Sequence, residues 1–291
     1  MKVVLFHSGS LLPHYLDYGL GQLRLFNPSI DIYMLTDEKH LDDAVFEKYD
    51  VIVFNKDLYH TDKASAFSKL YRKAPDNFWV ITATRLMYIE EFMFRQKLNE
   101  VYHFENDVLV YYPIKSLHSR FKRWCGRRIG ITPGGPNKLM TGYMYIPSSK
   151  PLKSMTQYFL FLLETYGIQG IKRTFGVEMV NEMILMKIYA DAKQDMVFLP
   201  ILPSDKGNDY FGSLFDPASW GQFVGGTTDC VPGAKAEDHH IGQYLRKNPE
   251  FKVVWILDEK GKRIPHFFDC NQLYKINNLH IHSKQLGKYV S

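Results

Sequence analysis

Glu105-Asn106-Asp107 places two carboxylates at positions i and i+2, between the apolar runs Val101-Tyr102-His103-Phe104 and Val108-Leu109-Val110-Tyr111. On a turn at a strand end both acids can face one ion, because the intervening side chain points away. Hard divalent cations such as Mg²⁺ and Mn²⁺ take oxygen ligands of this kind and commonly share them with substrate phosphates. Acids beside buried strands also need compensation, most simply by a cation. The alternative is a pair of loop acids capping a turn. A second group lies near the C-terminus, where His280 and His282 alternate to the same face of a short strand. Either imidazole can reach an ion, and Lys284 follows as a point charge for phosphate oxygens. The expected metal ligands are Glu105, Asp107 and one of His280 and His282, with His282 preferred because it adjoins Ser283-Lys284.

These groups need a scaffold. Residues 3–6, 30–36 and 50–54 are short apolar, β-branched runs closing on polar residues, with helical stretches at about 13–25 and 63–73. Strand, helix, strand, helix, strand implies a parallel sheet covered on both faces. Leu86, Ile89, Phe92 and Met93 are spaced by three and four, the stripe of a helix over residues 82–99 that lies on the sheet. That helix leads into the strand ending at the acid triplet, and open α/β sheets bind ligands beyond the carboxyl ends of their strands. Further on, 132–136 reads as a Gly/Pro-rich loop, 142–146 as a strand, and 151–166, 177–192 and 239–247 as helices. The Gly-, Pro- and Asp-rich stretch 200–238 reads as binding loops, before a hairpin-like piece at 253–264 and a last strand at 279–282.

Composition narrows the class. The chain has 291 residues and 45% hydrophobic content, enough to bury a large core as one α/β domain. Its net charge of +5 is modest, and its basic residues are spread along the chain, which argues against a nucleic-acid partner. The densest cluster, Arg120, Lys122, Arg123, Arg127 and Arg128, reads as a solvated helix face or loop or, alternatively, as a surface that meets phosphate or an anionic acceptor. Cys125, Cys230 and Cys270 suggest neither a disulfide framework nor a zinc motif, so a reducing compartment is expected. With no signal-peptide run and no transmembrane segment in the sequence, the expected location is cytoplasmic.

The segment His103 to Tyr111 resembles the DxD segment of GT-A glycosyltransferases, with Glu105 in the first acid position. Other pieces follow in the order of that family. Thr84-Arg85-Leu86 is similar to the helix whose arginine reaches the donor sugar. Thr141-Gly142-Tyr143-Met144-Tyr145-Ile146 is similar to the strand lining the acceptor side. Asn181-Glu182-Met183 is similar to a helix start whose acid lies near the reacting sugar, and the His280-Ile281-His282-Ser283-Lys284 tail to a segment completing the metal and diphosphate site.

The resemblance implies a single GT-A, Rossmann-like α/β domain over 1–291. Its mostly parallel central sheet is covered by helices, and its C-terminal part is loop-rich. Residues 1–115 would bind the donor, and 116–291 would bind the acceptor and supply the C-terminal metal and diphosphate segment. It further implies transfer of a hexosyl or deoxyhexosyl group from a nucleoside-diphosphate-sugar, UDP favoured, to a hydroxyl of a glycan or other acceptor, with Mn²⁺ or Mg²⁺. The donor contacts are expected from Phe6, His7, Ser8, Asp37, Arg85, Asn106 and Lys284. Glu182 is the first choice for a general base and Asp238 the second. Asp216, before Pro217, is either a sugar-hydroxyl partner or a turn former. Two other readings compete: a non-catalytic binding module of the same fold, and a sugar nucleotidyltransferase. The second lacks a basic, Gly-rich loop after the first strand, where His7-Ser8-Gly9-Ser10-Leu11-Leu12 stands.

Overall fold

A computed structural model describes residues 1–71, 77–221, 239–247, 252–269 and 271–291. Seven strands form the central sheet: β1 (Lys2–Phe6), β2 (Asp31–Thr36), β3 (Val51–Asn55), β4 (Val101–Phe104), β6 (Ile129–Gly135), β7 (Lys138–Ile146) and β8 (Met196–Phe198). A further short strand, β5 (Val108–Val110), leaves this sheet. The order is β3-β2-β1-β4-β7-β6-β8. The pairs β1–β2, β2–β3, β1–β4 and β6–β8 are parallel, whereas β7 runs antiparallel to both β4 and β6. The strands are apolar on both faces because both are covered. Val4 and Phe6 pack on one side with the helices α3 (Asp62–Tyr71), α4 (Asn77–Arg95), α6 (Ser149–Phe175) and α7 (Glu182–Lys193). Val3 and Leu5 point to the other side, against α1 (Leu16–Phe26) and α5 (Ile114–Cys125). The short helix α2 (Ala44–Lys48) adds Phe46 to that second core.

The stripe expected on α4 is fully buried at Leu86, Ile89, Phe92 and Met93. Residues 132–135 are strand rather than loop, with the turn beginning at Pro136: Pro133 and Gly135 pair with Leu139 and Lys138 in β6–β7, with register shifts on both sides of this stretch. The helix expected from residue 177 starts at Glu182, because Asn181 caps it by accepting from the Ile184 N–H at 3.0 Å. Val177 and Val180 supply apolar contacts from the connection instead. The helix expected over 151–166 continues to Phe175, broken at Gly167, whose φ of +60° a non-glycine residue rarely adopts. Within 200–238 the structure adds α8 (Lys206–Phe211), whose Phe211 carbonyl accepts from Arg120 at 2.7 Å.

The C-terminal part forms a third core around Trp220, Phe267, Leu279 and Ile281. An antiparallel sheet of β9 (Lys252–Leu257), β10 (Arg263–Asp269) and β11 (Gln272–Lys275) leads to β12 (Asn278–His280), which pairs antiparallel with β5. The last strand therefore ends at His280 rather than His282. Among the described residues no helix is long and apolar enough to cross a membrane.

Candidate functional site

β1 and β4 are parallel neighbours, so Phe6 and Phe104 end at the same edge of the sheet and the acid triplet follows directly. Asn106 fixes that turn: its side-chain amide donates to the Phe6 carbonyl at 3.0 Å. The Glu105 N–H reaches back to the Gly142 carbonyl on β7 at 3.3 Å. β5 then pairs with β12 so that His280 faces Val108, and the Ile281 N–H donates to the Asp107 carbonyl at 2.9 Å. Two segments far apart in sequence thus meet at one point.

At that point a side-chain atom each from Glu105, Asp107 and His280 lies within 4.8 Å of the others. His280 Nε2 is 3.0 Å from Asp107 Oδ2 and 3.4 Å from Glu105 Oε2. His282 does not join the acids; its ring stacks on that of His280 with centroids 4.5 Å apart. Burial, then the neighbouring His280, lowers the His282 pKa to about 3 and keeps that ring neutral. Lys284 Nζ ion-pairs Asp107 Oδ2, while Arg85 Nη2 contacts Glu105 Oε1 at 2.7 Å and Thr141 Oγ1 at 2.9 Å. Thr141 in turn donates to Glu105 at 2.6 Å. Burial works to raise the pKa of Glu105, but the charges of Arg85 and His280 outweigh it and hold that carboxyl at about 2. Burial likewise opposes ionisation of Asp107, and His280 with Lys284 overrides it, so its pKa is lowered. His280 shows the reverse balance: burial disfavours its charge, the adjacent Asp107 carboxylate restores it, and the net shift is upward.

Two features of the fold seat His280. Gly142 leaves room for its ring, since a Cβ there would stand 2.6 Å from His280 Nδ1. Asp216, fully buried, accepts from the N–H groups of Ser219 and Trp220 at 2.7 Å, Gly221 at 2.9 Å and His280 at 2.8 Å. Asp216 is therefore an internal brace for the last strand, with its oxygens committed to backbone donors rather than turned toward a ligand.

The acids form one wall of a cavity of about 430 Å³. Phe6, His7, Ser8, Asn106 and Tyr15 line it on one side, and Phe78, Trp79, Met140, Met183 and His239 also border it. Glu182, 3% exposed, faces it from the first turn of α7 and accepts from Thr82 Oγ1 at 2.7 Å. Burial pushes the Glu182 pKa up to about 7, against the pull of Arg85. Asp37 stands behind the lining: it accepts from the Gly9 N–H at 2.8 Å and pairs with Lys56 at 3.0 Å, anchoring the loop that carries His7 and Ser8. Asp238, with Phe223, Gly225 and Gly226, lies outside the described residues.

Thr82 has no place in the sequence reading of this site, and Thr141, Gly142 and Asp216 serve it in ways other than expected: Thr141 binds Arg85 and Glu105, Gly142 makes room for His280, and Asp216 braces the last strand. Thr82 and Arg85 lie three residues apart on one helix face, a spacing that could have drawn attention to the threonine. The brace at Asp216 depends on a contact across 64 residues, for which local sequence carries no signal.

Neither a protein-family model nor a curated protein matches the chain. Solved structures do. Mouse xyloside xylosyltransferase 1, in its apo form, is similar at 12% identity with a TM-score of 0.53, over 72% of this chain and 90% of that one. The apo glycosyltransferase GlyE of Streptococcus pneumoniae TIGR4 is similar at 15% identity and a TM-score of 0.45, over 68% of this chain and 44% of its own. The galactosyltransferase LgtC, in complex with donor and acceptor sugar analogs, matches at 13% identity and a TM-score of 0.39, over 70% of this chain and 76% of its own. With the sheet order above, the first of these likenesses identifies the architecture: the chain has the α/β GT-A glycosyltransferase fold, its central sheet mostly parallel and covered by helices.

Proposed function

We propose that the chain is a metal-dependent glycosyltransferase that moves a sugar from a nucleoside-diphosphate-sugar, with UDP favoured, to a hydroxyl of a glycan or other acceptor. The observation that carries this reading is the convergence of Glu105, Asp107 and His280 at the strand ends, inside a cavity that also holds the buried acid Glu182. Two carboxylate oxygens and one imidazole nitrogen suit Mn²⁺ or Mg²⁺. The fit rests on the donor set itself: among the described residues these three side chains each offer one ligand atom, all within 4.8 Å of one another. A metal held by Glu105, Asp107 and His280 would supply neutralising charge to a departing diphosphate.

The protein's own residues do the rest. Phe6, His7 and Ser8 form the wall proposed for the base and ribose, on a loop that Asp37 holds through Gly9. Asn106 locks the acid turn against the first strand, and Arg85 keeps Glu105 ionised and oriented. Lys284 is placed to meet diphosphate oxygens. Glu182, with a pKa near 7, takes the acceptor hydroxyl proton in an inverting reaction; Asp238 is the second choice for that role. In this reading residues 1–115 supply the donor half, and 116–291 supply the acceptor half and the C-terminal metal and diphosphate segment.

The test is release of nucleoside diphosphate from a panel of labelled UDP- and GDP-sugars, with Mn²⁺ and with chelator. Metal-dependent release from at least one donor supports the transferase. No release from any donor in Mn²⁺ overturns it in favour of a sugar-binding module of the same fold.

A further inference from the structure

The two acids are neutralised by the protein itself, but in different ways. Arg85 holds Glu105 through Oε1, leaving Oε2 toward His280. Lys284 holds Asp107 through Oδ2, the same oxygen that faces His280 Nε2. Arg85 therefore braces the outer side of the cluster, whereas Lys284 takes the oxygen that a metal among the three residues would need. The Arg85 side chain is 9% exposed and fixed by Thr141, while that of Lys284 is 43% exposed and can leave. A second seat is nearby, because the Lys284 ammonium lies 5.5 Å from the centroid of the Tyr15 ring, which lines the same cavity. The backbone fixes the pivot: Lys284 has φ +61° and its N–H donates to the Ile281 carbonyl at 3.0 Å.

We propose that Lys284 is a resident counter-ion of the metal site, displaced from Asp107 when a divalent ion enters and thereby released to the diphosphate. The inference rests on the metal reading above and adds an order of events. Glu105 and Asp107 are balanced by Arg85 and Lys284 in the metal-free protein. A divalent ion arriving alone adds two positive charges to a buried cluster, and Lys284 opposes its entry. A diphosphate restores the balance and gives the displaced ammonium a partner. Metal binds weakly without the nucleotide and strongly with it, and Lys284 contributes to both halves of that difference with opposite sign.

The experiment is titration of Mn²⁺, followed by electron paramagnetic resonance of the free ion, into wild type, Lys284→Met, Lys284→Gln and Lys288→Met, with and without UDP. Lys288 is exposed and controls for loss of a charge nearby. Without UDP, both Lys284 variants bind Mn²⁺ about tenfold more tightly than wild type, the equivalent of one partly buried ion pair. Lys288→Met stays within about twofold, as expected for a screened surface charge. With UDP present, the Lys284 variants bind Mn²⁺ more weakly than wild type. A merely structural lysine would weaken binding in both conditions. Unchanged or weaker Mn²⁺ binding without UDP by both Lys284 variants overturns the counter-ion role while leaving the metal site standing. Absence of Mn²⁺ binding by every protein overturns the metal site and the counter-ion role together.

Discussion

His280 Nε2 lies 3.0 Å from Asp107 Oδ2 across 173 residues of sequence. The contact is made by two short strands: β12 runs antiparallel to β5, and the pairs Asn278–Val110, Leu279–Leu109 and His280–Val108 set its register. A slip of one residue would turn His280 away and bring a neighbour to the acids. The accuracy of the site thus depends on whatever holds β12 in place.

Gly142 is one such control. Substitution by alanine brings a Cβ to 2.6 Å from His280 Nδ1 if nothing moves, so the ring must shift. Gly142→Ala is expected to fold, to lose about 1–3 kcal/mol of stability as an overpacked site does, and to bind Mn²⁺ more weakly than wild type. Urea denaturation and metal titration check both. Wild-type metal affinity in a folded Gly142→Ala protein would show that His280 is not held by this contact.

Asp216 is the other. Replacing it with alanine strands the N–H groups of Ser219, Trp220, Gly221 and His280 that it accepts from. The expected cost is about 3 kcal/mol or more, since four buried donors lose their acceptor. Asp216→Asn retains one carbonyl oxygen and should lose less. Both are read by equilibrium unfolding, and a cost below about 0.5 kcal/mol for the alanine variant, the range of an ordinary surface change, would contradict the brace.

Glu182 links stability to activity. Its folded pKa of about 7 lies above the 4.5 of an ordinary glutamate, so between those values the folded state holds a proton that the unfolded state releases. Its contribution is therefore fully present below about pH 4.5 and is lost as pH rises to about 7, up to about 3 kcal/mol in all. Glu182→Gln removes this dependence and should be more stable than wild type at pH 8. The same variant should slow transfer by about 10² to 10⁴ if Glu182 is the base, with the wild-type rate rising through pH 7 as the carboxyl ionises. A rate unaffected by Glu182→Gln takes the residue out of the mechanism.

Much of this was legible in the sequence because it is local. The β1 and β4 runs, the stripe of Leu86, Ile89, Phe92 and Met93, and the i, i+2 spacing of Glu105 and Asp107 are patterns within a few residues, and each forms as expected. The choice between His280 and His282 was not legible, because local alternation puts both on one face of an expected strand, whereas β12 ends at His280 and His282 lies in the turn beyond it. Pro133 and Gly135 disguised β6, since turn residues and bulge residues are the same residues. Asp216 before Pro217 looked like a turn former, and its oxygens do bind three nearby N–H groups. Its fourth donor, on His280, requires the folded chain.

The central claim is that Asp107 holds a metal that holds the donor. The most direct measurement is calorimetric binding of the UDP-sugar found active in the donor panel, with and without Mn²⁺, to wild type and Asp107→Ala. Wild type should bind the donor at least about tenfold more tightly in Mn²⁺, a difference of about 1.4 kcal/mol, and Asp107→Ala should lose that gain. A folded Asp107→Ala protein that keeps wild-type donor affinity in Mn²⁺ would contradict the account.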